Sequence, residues 1–144
     1  MYQVCKQIND DIKMIREEVF MKEQGFQDEF DDIDDIATHI LYFVDESPVG
    51  TCRFFDGEEP GDAHIGRMAV LKAYRGKNLG AEIMLAAEKA IQEQGYKICS
   101  LSAQVQAKGF YEKLGYVQEG EEYLDEHCPH ILMRKTFLSG GGKT

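Results

Sequence analysis

The chain has no excess of positive charge. Lys and Arg number 16 against 26 Asp and Glu, for a net charge of −10. Nucleic acid is therefore not an expected partner, because a phosphate backbone calls for a broad basic surface. Docking on an anionic membrane is disfavoured for the same reason. The four cysteines, at 5, 52, 99 and 128, include no Cys-x-x-Cys pair, so neither a zinc site nor a redox dithiol is indicated, and no metal is expected. Cys52 and Cys99 lie in apolar strand-like runs and read as buried small hydrophobes. No apolar run approaches the length of a membrane span. Tyr2 to Asp10 lacks the apolar stretch of a leader peptide, so the expected location is cytoplasmic. Internal repeats and low-complexity tracts are also missing.

Several familiar motifs are absent on inspection. Asp28 to Asp35 holds six acidic residues in eight, but Ile33 stands where an EF-hand loop needs glycine and His39 where it needs glutamate. The run reads as a solvated loop, with an amine-facing acidic rim as the alternative. The segment Gly-Gly-Gly-Lys-Thr144 resembles a P-loop only superficially, since Phe137 occupies the first glycine position and no following helix is expected. Gly76 and Gly80 are four apart, which does not fit the GxGxxG of a dinucleotide fold.

What is present is an ordinary globular chain of 144 residues with 43% apolar content. A chain of this size buries roughly 68% of its unfolded surface and needs no staple. The expectation is one domain over 1–138 and a flexible tail over 139–144. Tyr2 to Lys6 reads as a short strand. Asn9 or Asp10 caps a helix with Ile12, Ile15, Val19 and Phe20 on one face, ended by Gly25. Ile40 to Val44 and Val49 to Phe55 form a hairpin around Asp45-Glu-Ser-Pro48. Ala63 to Val70 is the next strand. Leu79, Ile83, Ala86, Ala87, Ala90 and Ile91 fall at helical spacing, Gly95 closes that helix, and Ile98 to Ser102 is a strand. Strand, helix and strand at this length make a βαβ unit with parallel strands. A short helix carries Ala107, Phe110, Tyr111 and Leu114. Tyr116 to Glu119 and His130 to Thr136 are final strands, paired antiparallel.

Two segments carry chemistry. The first is Met68-Ala-Val-Leu-Lys-Ala-Tyr-Arg-Gly-Lys-Asn-Leu-Gly-Ala81, which reads as strand end, basic turn and first helical turn. Unpaired N–H groups and the positive end of the macrodipole favour an anion there, and Arg75 and Lys77 add charge. On spacing alone it is equally a βα loop with exposed basic residues. The second is Ala107-Lys-Gly-Phe-Tyr-Glu-Lys-Leu-Gly-Tyr116. By spacing alone its Tyr111 reads first as a core tyrosine using its hydroxyl locally.

Taken together, the two segments resemble the GNAT superfamily of acetyl-CoA-dependent N-acyltransferases. Arg75-Gly-Lys-Asn-Leu-Gly80 matches that family's Arg/Gln-x-x-Gly-x-Gly/Ala loop, with Asn78 in place of the middle glycine. Phe110-Tyr-Glu-Lys-Leu-Gly-Tyr116 matches its Phe-Tyr-x-Lys-x-Gly-Phe signature. Gln104 stands six residues before Phe110, where the family often has an Asn that contacts the cofactor. The resemblance covers about residues 38 to 136. Val19-Phe-Met-Lys-Glu-Gln-Gly25, Ala103-Gln-Val-Gln-Ala107 and Pro129-His-Ile-Leu-Met-Arg134 further resemble the ElaA-like branch.

The resemblance implies a mixed, mostly antiparallel twisted sheet with a central parallel pair splayed around the cofactor and helices at its flanks. It implies acetyl-CoA as co-substrate and an amine of a small molecule or peptide as acceptor, attacked directly. Pantetheine would bond the backbone of Met68, Ala69 and Val70. The pyrophosphate would sit on Arg75, Gly76, Lys77, Asn78, Leu79, Gly80 and Ala81, with Gln104 also in contact. A backbone N–H near Met68 would face the oxyanion, and Tyr111 would be the general acid. Glu23, His39, His64, Glu121 and His130 are base candidates by residue type, with His130 attractive because imidazole titrates near neutrality; a water relay, or no base at all for an acceptor of low pKa, is an equal alternative. The implied homodimer has no interface specified by the sequence. A non-catalytic CoA-binding or regulatory module is the alternative.

Overall fold

The side chain of Asn9 accepts a hydrogen bond from the Ile12 N–H at 2.9 Å and so starts the first helix, α1 (Asp10–Arg16). In this computed structural model the described residues are 1–27, 30–125 and 128–137. The expected tail at 139–144 lies outside them, as do Asp28 and Glu29 of the acidic run. The strands are β1 (Tyr2–Cys5), β2 (Thr38–Val44), β3 (Ser47–Asp56), β4 (Asp62–Val70), β5 (Ile98–Gln104), β6 (Val117–Asp125) and β7 (Cys128–Thr136). The remaining helices are α2 (Leu79–Glu93) and α3 (Lys108–Lys113). The strands form one seven-stranded sheet in the order β1-β2-β3-β4-β5-β7-β6. β4 and β5 pair in parallel, while β1–β2, β2–β3, β5–β7 and β6–β7 are antiparallel. This is the mixed α/β sheet with one parallel pair that the βαβ reading predicts.

The chain divides into two compact units, Met1–Phe55 with Gly66–Ala90, and Asp56–Ile65 with Ile91–Thr144. In the first unit Ile12, Ile15, Val19, Leu41 and Ala69 form a buried cluster, and Phe20 lies half-buried at its margin. Burial of an aliphatic side chain such as Ile12 or Ile15 is worth roughly 1.5–3 kcal/mol. Beyond Arg16 the helix widens into a π-helical stretch, Glu17–Glu23, and Gly25 follows at φ +80°. The alternation of helical spacing could not signal that widening. β2 and β3 are joined by Asp45 and Glu46, both left-handed at φ 49° and 71°. Such a pair matches the twist of a hairpin, so Ser47 and Pro48 already belong to β3 rather than to the turn. Gly50 on β3 is a packing requirement, since a Cβ there would meet Ile83 Cδ1 at 2.4 Å.

The acidic run is not simply a solvated loop. Asp31 opens a 3-10 turn (Asp32–Asp35), and the Asp34 side chain is only 6% exposed. Arg16 Nη1 donates to Asp34 Oδ1 at 2.8 Å, and Arg53 Nη1 donates to the same oxygen at 2.7 Å. Arg53 also holds Asp31 at 2.6 Å, and Arg67 reaches Asp31 at 3.3 Å. Buried charges need partners, and here two carboxylates and two arginines tie the run to α1 and β3.

In the second unit β5 runs against β7, and β7 against β6. The parallel register covers Asp62↔Ile98 to Ile65↔Leu101. β6 extends past the predicted Glu119 to Asp125, with an irregular register between Glu119 and Tyr123. Buried Tyr116 precedes it and shares a hydrogen bond with Cys99 Sγ at 3.1 Å. Among the described residues no helix is long and apolar enough to cross a membrane.

Candidate functional site

In the first unit β4 ends at Val70, a 3-10 turn follows at Lys72–Tyr74, and α2 begins at Leu79. The connecting residues Arg75, Gly76, Lys77 and Asn78 are all exposed. Gly76 and Asn78 are left-handed, at φ 81° and 65°. Asn tolerates that conformation better than most residues, so the loop keeps its bend where the resembled pattern has glycine. The Asn78 carbonyl accepts from the Glu82 N–H at 3.4 Å, which leaves the N–H groups of Leu79, Gly80 and Ala81 in the unpaired first turn. Left-handed bends beside a helix N-terminus turn backbone N–H groups toward a common concavity that suits phosphate.

Arg75 is held from two sides. Its Nε donates to the Val70 carbonyl at 2.9 Å, and its Nη1 and Nη2 donate to Glu23 at 2.5 and 2.8 Å. The Arg75 hydrogen bond keeps the Glu23 carboxyl below its usual range. Lys77 Nζ lies 5.5 Å from the Tyr74 ring centroid, a cation–π distance. Met68 and Val70 are half-buried and Ala69 is buried on β4. Arg67, next to Met68, is left-handed at φ 54°. A cleft of about 540 Å³ lies between Met14, Glu18 and Glu23 on one side and Leu71 and Lys72 on the other.

In the second unit Tyr111 is half-buried on α3. Its ring meets Phe110 and Tyr116 edge-on, at 4.9 and 5.9 Å between centroids. Gln104 ends β5, and its Oε1 accepts from Gln106 Nε2 at 2.6 Å. His130 stands opposite Gln104 in the β5–β7 register and opposite Tyr123 in the β6–β7 register. Its Nδ1 lies 2.8 Å from the Cys128 carbonyl.

The other base candidates are placed differently. His39 is fully buried, its Nε2 lies 3.1 Å from the Asp34 carbonyl, and burial lowers its pKa. His64 Nδ1 contacts Ser100 Oγ at 3.0 Å, and that hydroxyl donates to Asp62 at 2.9 Å. The serine is thus committed to a carboxylate, so the trio is not a nucleophilic triad. Glu121 is exposed on β6. No group of three or more His, Cys, Asp or Glu could hold a metal ion among the described residues. Sequence reasoning missed the Arg16–Asp34–Arg53–Asp31 network and the aromatic partner of His130, because neither has a local spacing signal.

The family model for the acetyltransferase (GNAT) domain matches residues 8–137. The chain belongs to the GNAT acetyltransferase family. It is 42% identical over 126 residues to a Bacillus subtilis (strain 168) protein named as a candidate acetyltransferase, covering 84% of both chains. An acyl-CoA N-acyltransferase structure from Pseudomonas aeruginosa superposes at TM-score 0.83 with 26% identity, covering 94% of this chain and 99% of that one. Escherichia coli ElaA shares the fold at TM-score 0.81 and 24% identity, over 94% of this chain and 98% of its own. This GNAT protein is therefore an N-acyltransferase, and the family works with CoA thioesters and amines. The exposed Arg75–Asn78 bend and the open first turn of α2 suit a CoA pyrophosphate.

Proposed function

We propose that this enzyme transfers an acetyl group from acetyl-CoA to a primary amine of a small molecule or peptide by direct attack. The observation that carries the reading is the exposed bend from Arg75 to Asn78, left-handed at Gly76 and Asn78, which opens onto the N-terminus of α2. In this reading the N–H groups of Arg75 to Ala81 hold the pyrophosphate, with Lys77 adding charge. The backbone of Met68, Ala69 and Val70 bonds the pantetheine arm as an added strand would. Gln104 supplies a side-chain amide contact. Acetyl-CoA, when bound, supplies the activated acyl group.

The protein's own residues then manage charge and protons. A backbone N–H near Met68 stabilises the developing oxyanion. Tyr111 hands its phenolic proton to the departing thiolate. A thiol has a pKa of about 8.5 and tyrosine about 10, so a full transfer is uphill by roughly 2 kcal/mol and is best concerted with bond cleavage. His130 receives the amine proton. A carbonyl only accepts, so the Cys128 carbonyl fixes the hydrogen on Nδ1 and leaves the Nε2 lone pair as the basic site. Glu23 is the weaker candidate, since both of its oxygens are bonded to Arg75.

The reading treats residues 1–138 as one catalytic domain in the cytoplasm, where a reducing medium keeps the four free thiols reduced. Light scattering checks for the homodimer. Calorimetry with acetyl-CoA and CoA, followed by thiol release across a panel of primary amines, tests the whole proposal. Absence of binding at millimolar acetyl-CoA rejects the cofactor, and binding without thiol release for any amine rejects the transfer.

A further inference from the structure

We propose that Tyr123 is a positioning residue for His130, and that Ser102 anchors Tyr123 in that role. The inference rests on the reading in which His130 receives the amine proton. It concerns three neighbouring strands of the second unit. His130 on β7 stands between Gln104 of β5 and Tyr123 of β6 in the two registers. Ser102 and Gln104 are two apart on β5 and so share its face.

The imidazole is constrained by two contacts of different kinds. At its edge, Nδ1–H donates to the Cys128 carbonyl at 2.8 Å. On its face, the Tyr123 ring stacks with centroids 6.2 Å apart and planes at 29°. Tyr123 is 41% exposed, so packing alone leaves its ring free to swing. The hydrogen bond between its hydroxyl and Ser102 Oγ removes that freedom. The result is a chain of contacts across the strands: hydroxyl on β5, phenol on β6, imidazole on β7. It holds Nδ1 at the carbonyl and Nε2 as the lone-pair nitrogen, and Nε2 bonds no described residue. A free neutral imidazole in water prefers its hydrogen on Nε2, the wrong tautomer for a base acting through that atom. Among the described residues, the register partners of His130 are Tyr123 on β6 and the uncharged Gln104 on β5.

The test uses the unliganded full chain, labelled with 15N at histidine. Wild type is expected to show His130 with its hydrogen on Nδ1. Tyr123→Leu and Ser102→Ala should move it toward the Nε2–H form, with Tyr123→Phe intermediate because it keeps the ring and loses only the hydroxyl anchor. With acetyl-CoA and the amine that turns over fastest in the panel, Tyr123→Leu should lower kcat roughly tenfold and leave the KM for acetyl-CoA unchanged. An unmoved His130 spectrum in Tyr123→Leu overturns the positioning role. A moved spectrum with wild-type kcat overturns its bearing on turnover. Wild-type turnover in His130→Gln overturns the base assignment instead, while the spectra still decide whether Tyr123 sets the tautomer.

Discussion

Arg75 and Glu23 form a two-pronged ion pair, with Nη1 to Oε2 at 2.5 Å and Nη2 to Oε1 at 2.8 Å. The two residues lie 52 positions apart in the chain. The pair joins the end of the π-helical stretch to the loop that leads into α2, while Arg75 Nε also bonds the Val70 carbonyl. A carboxylate thus already occupies the guanidinium that the proposed function assigns to a phosphate-binding loop.

Glu23→Gln should therefore tighten CoA binding several-fold at low salt, because it removes a competing negative charge. The gain should shrink as ionic strength rises, since both side chains are more than a third exposed and screening reaches them. Calorimetric titrations at two salt concentrations read the effect. Weaker binding at both would show that the carboxylate supports the loop rather than competing with its ligand.

Asp34 is the acid-sensitive point of the first unit. Burial alone would raise its pKa, but hydrogen bonds from Arg16, the Asp31 N–H and Arg53 outweigh that cost and bring it to about 2. Its folded pKa lies below the unfolded value. The corresponding stability, about 2 kcal/mol, is present above the ordinary carboxylate range near 3.8 and is lost as pH falls toward 2. Denaturant titrations between those pH values should show that loss in wild type and a much flatter profile in Asp34→Ala. The variant itself should lose about 3–5 kcal/mol at neutral pH, because two buried guanidiniums lose a partner.

Asn78→Gly should fold as well as wild type and retain CoA affinity, because glycine adopts a φ of 65° without strain. Asn78→Val should cost about 1–2 kcal/mol, since a β-branched residue is poorly tolerated in the left-handed region. Thermal denaturation with and without CoA separates the backbone cost from any loss of binding.

Tyr111→Phe keeps the edge-on ring contacts with Phe110 and Tyr116 and removes the phenolic hydroxyl. A drop in kcat of roughly 100-fold, with little change in the KM for acetyl-CoA, is the expected outcome. Steady-state kinetics with one acceptor amine give the answer, and unchanged turnover takes Tyr111 out of the chemistry.

Much of the fold is visible in local pattern. The apolar repeat from Leu79 to Ile91 and the closing Gly95 delimit α2, and a βαβ spacing of this length leads to the parallel β4–β5 pair. The Arg75 to Gly80 segment shows its bend through glycine and Asn. Other features depend on which strands become neighbours. Asp34 in the acidic run reads as solvated until Arg16 and Arg53 are brought to it across 18 and 19 residues. His130 looks like any strand histidine until β6 sets Tyr123 against its face.

The sequence by itself determined the alternation of strands and helices, the basic bend before α2 and membership of the GNAT family, because each is written in spacings shorter than one helix or one hairpin. Only the tertiary structure decided that Asp34 is a buried ion-pair partner, that Glu23 engages Arg75 and that His130 sets its Nδ1 against the Cys128 carbonyl. Those outcomes turn on distances between residues remote in the chain. Electrostatics and hydrogen bonding act through space, and sequence order does not encode such distances until the strands have paired.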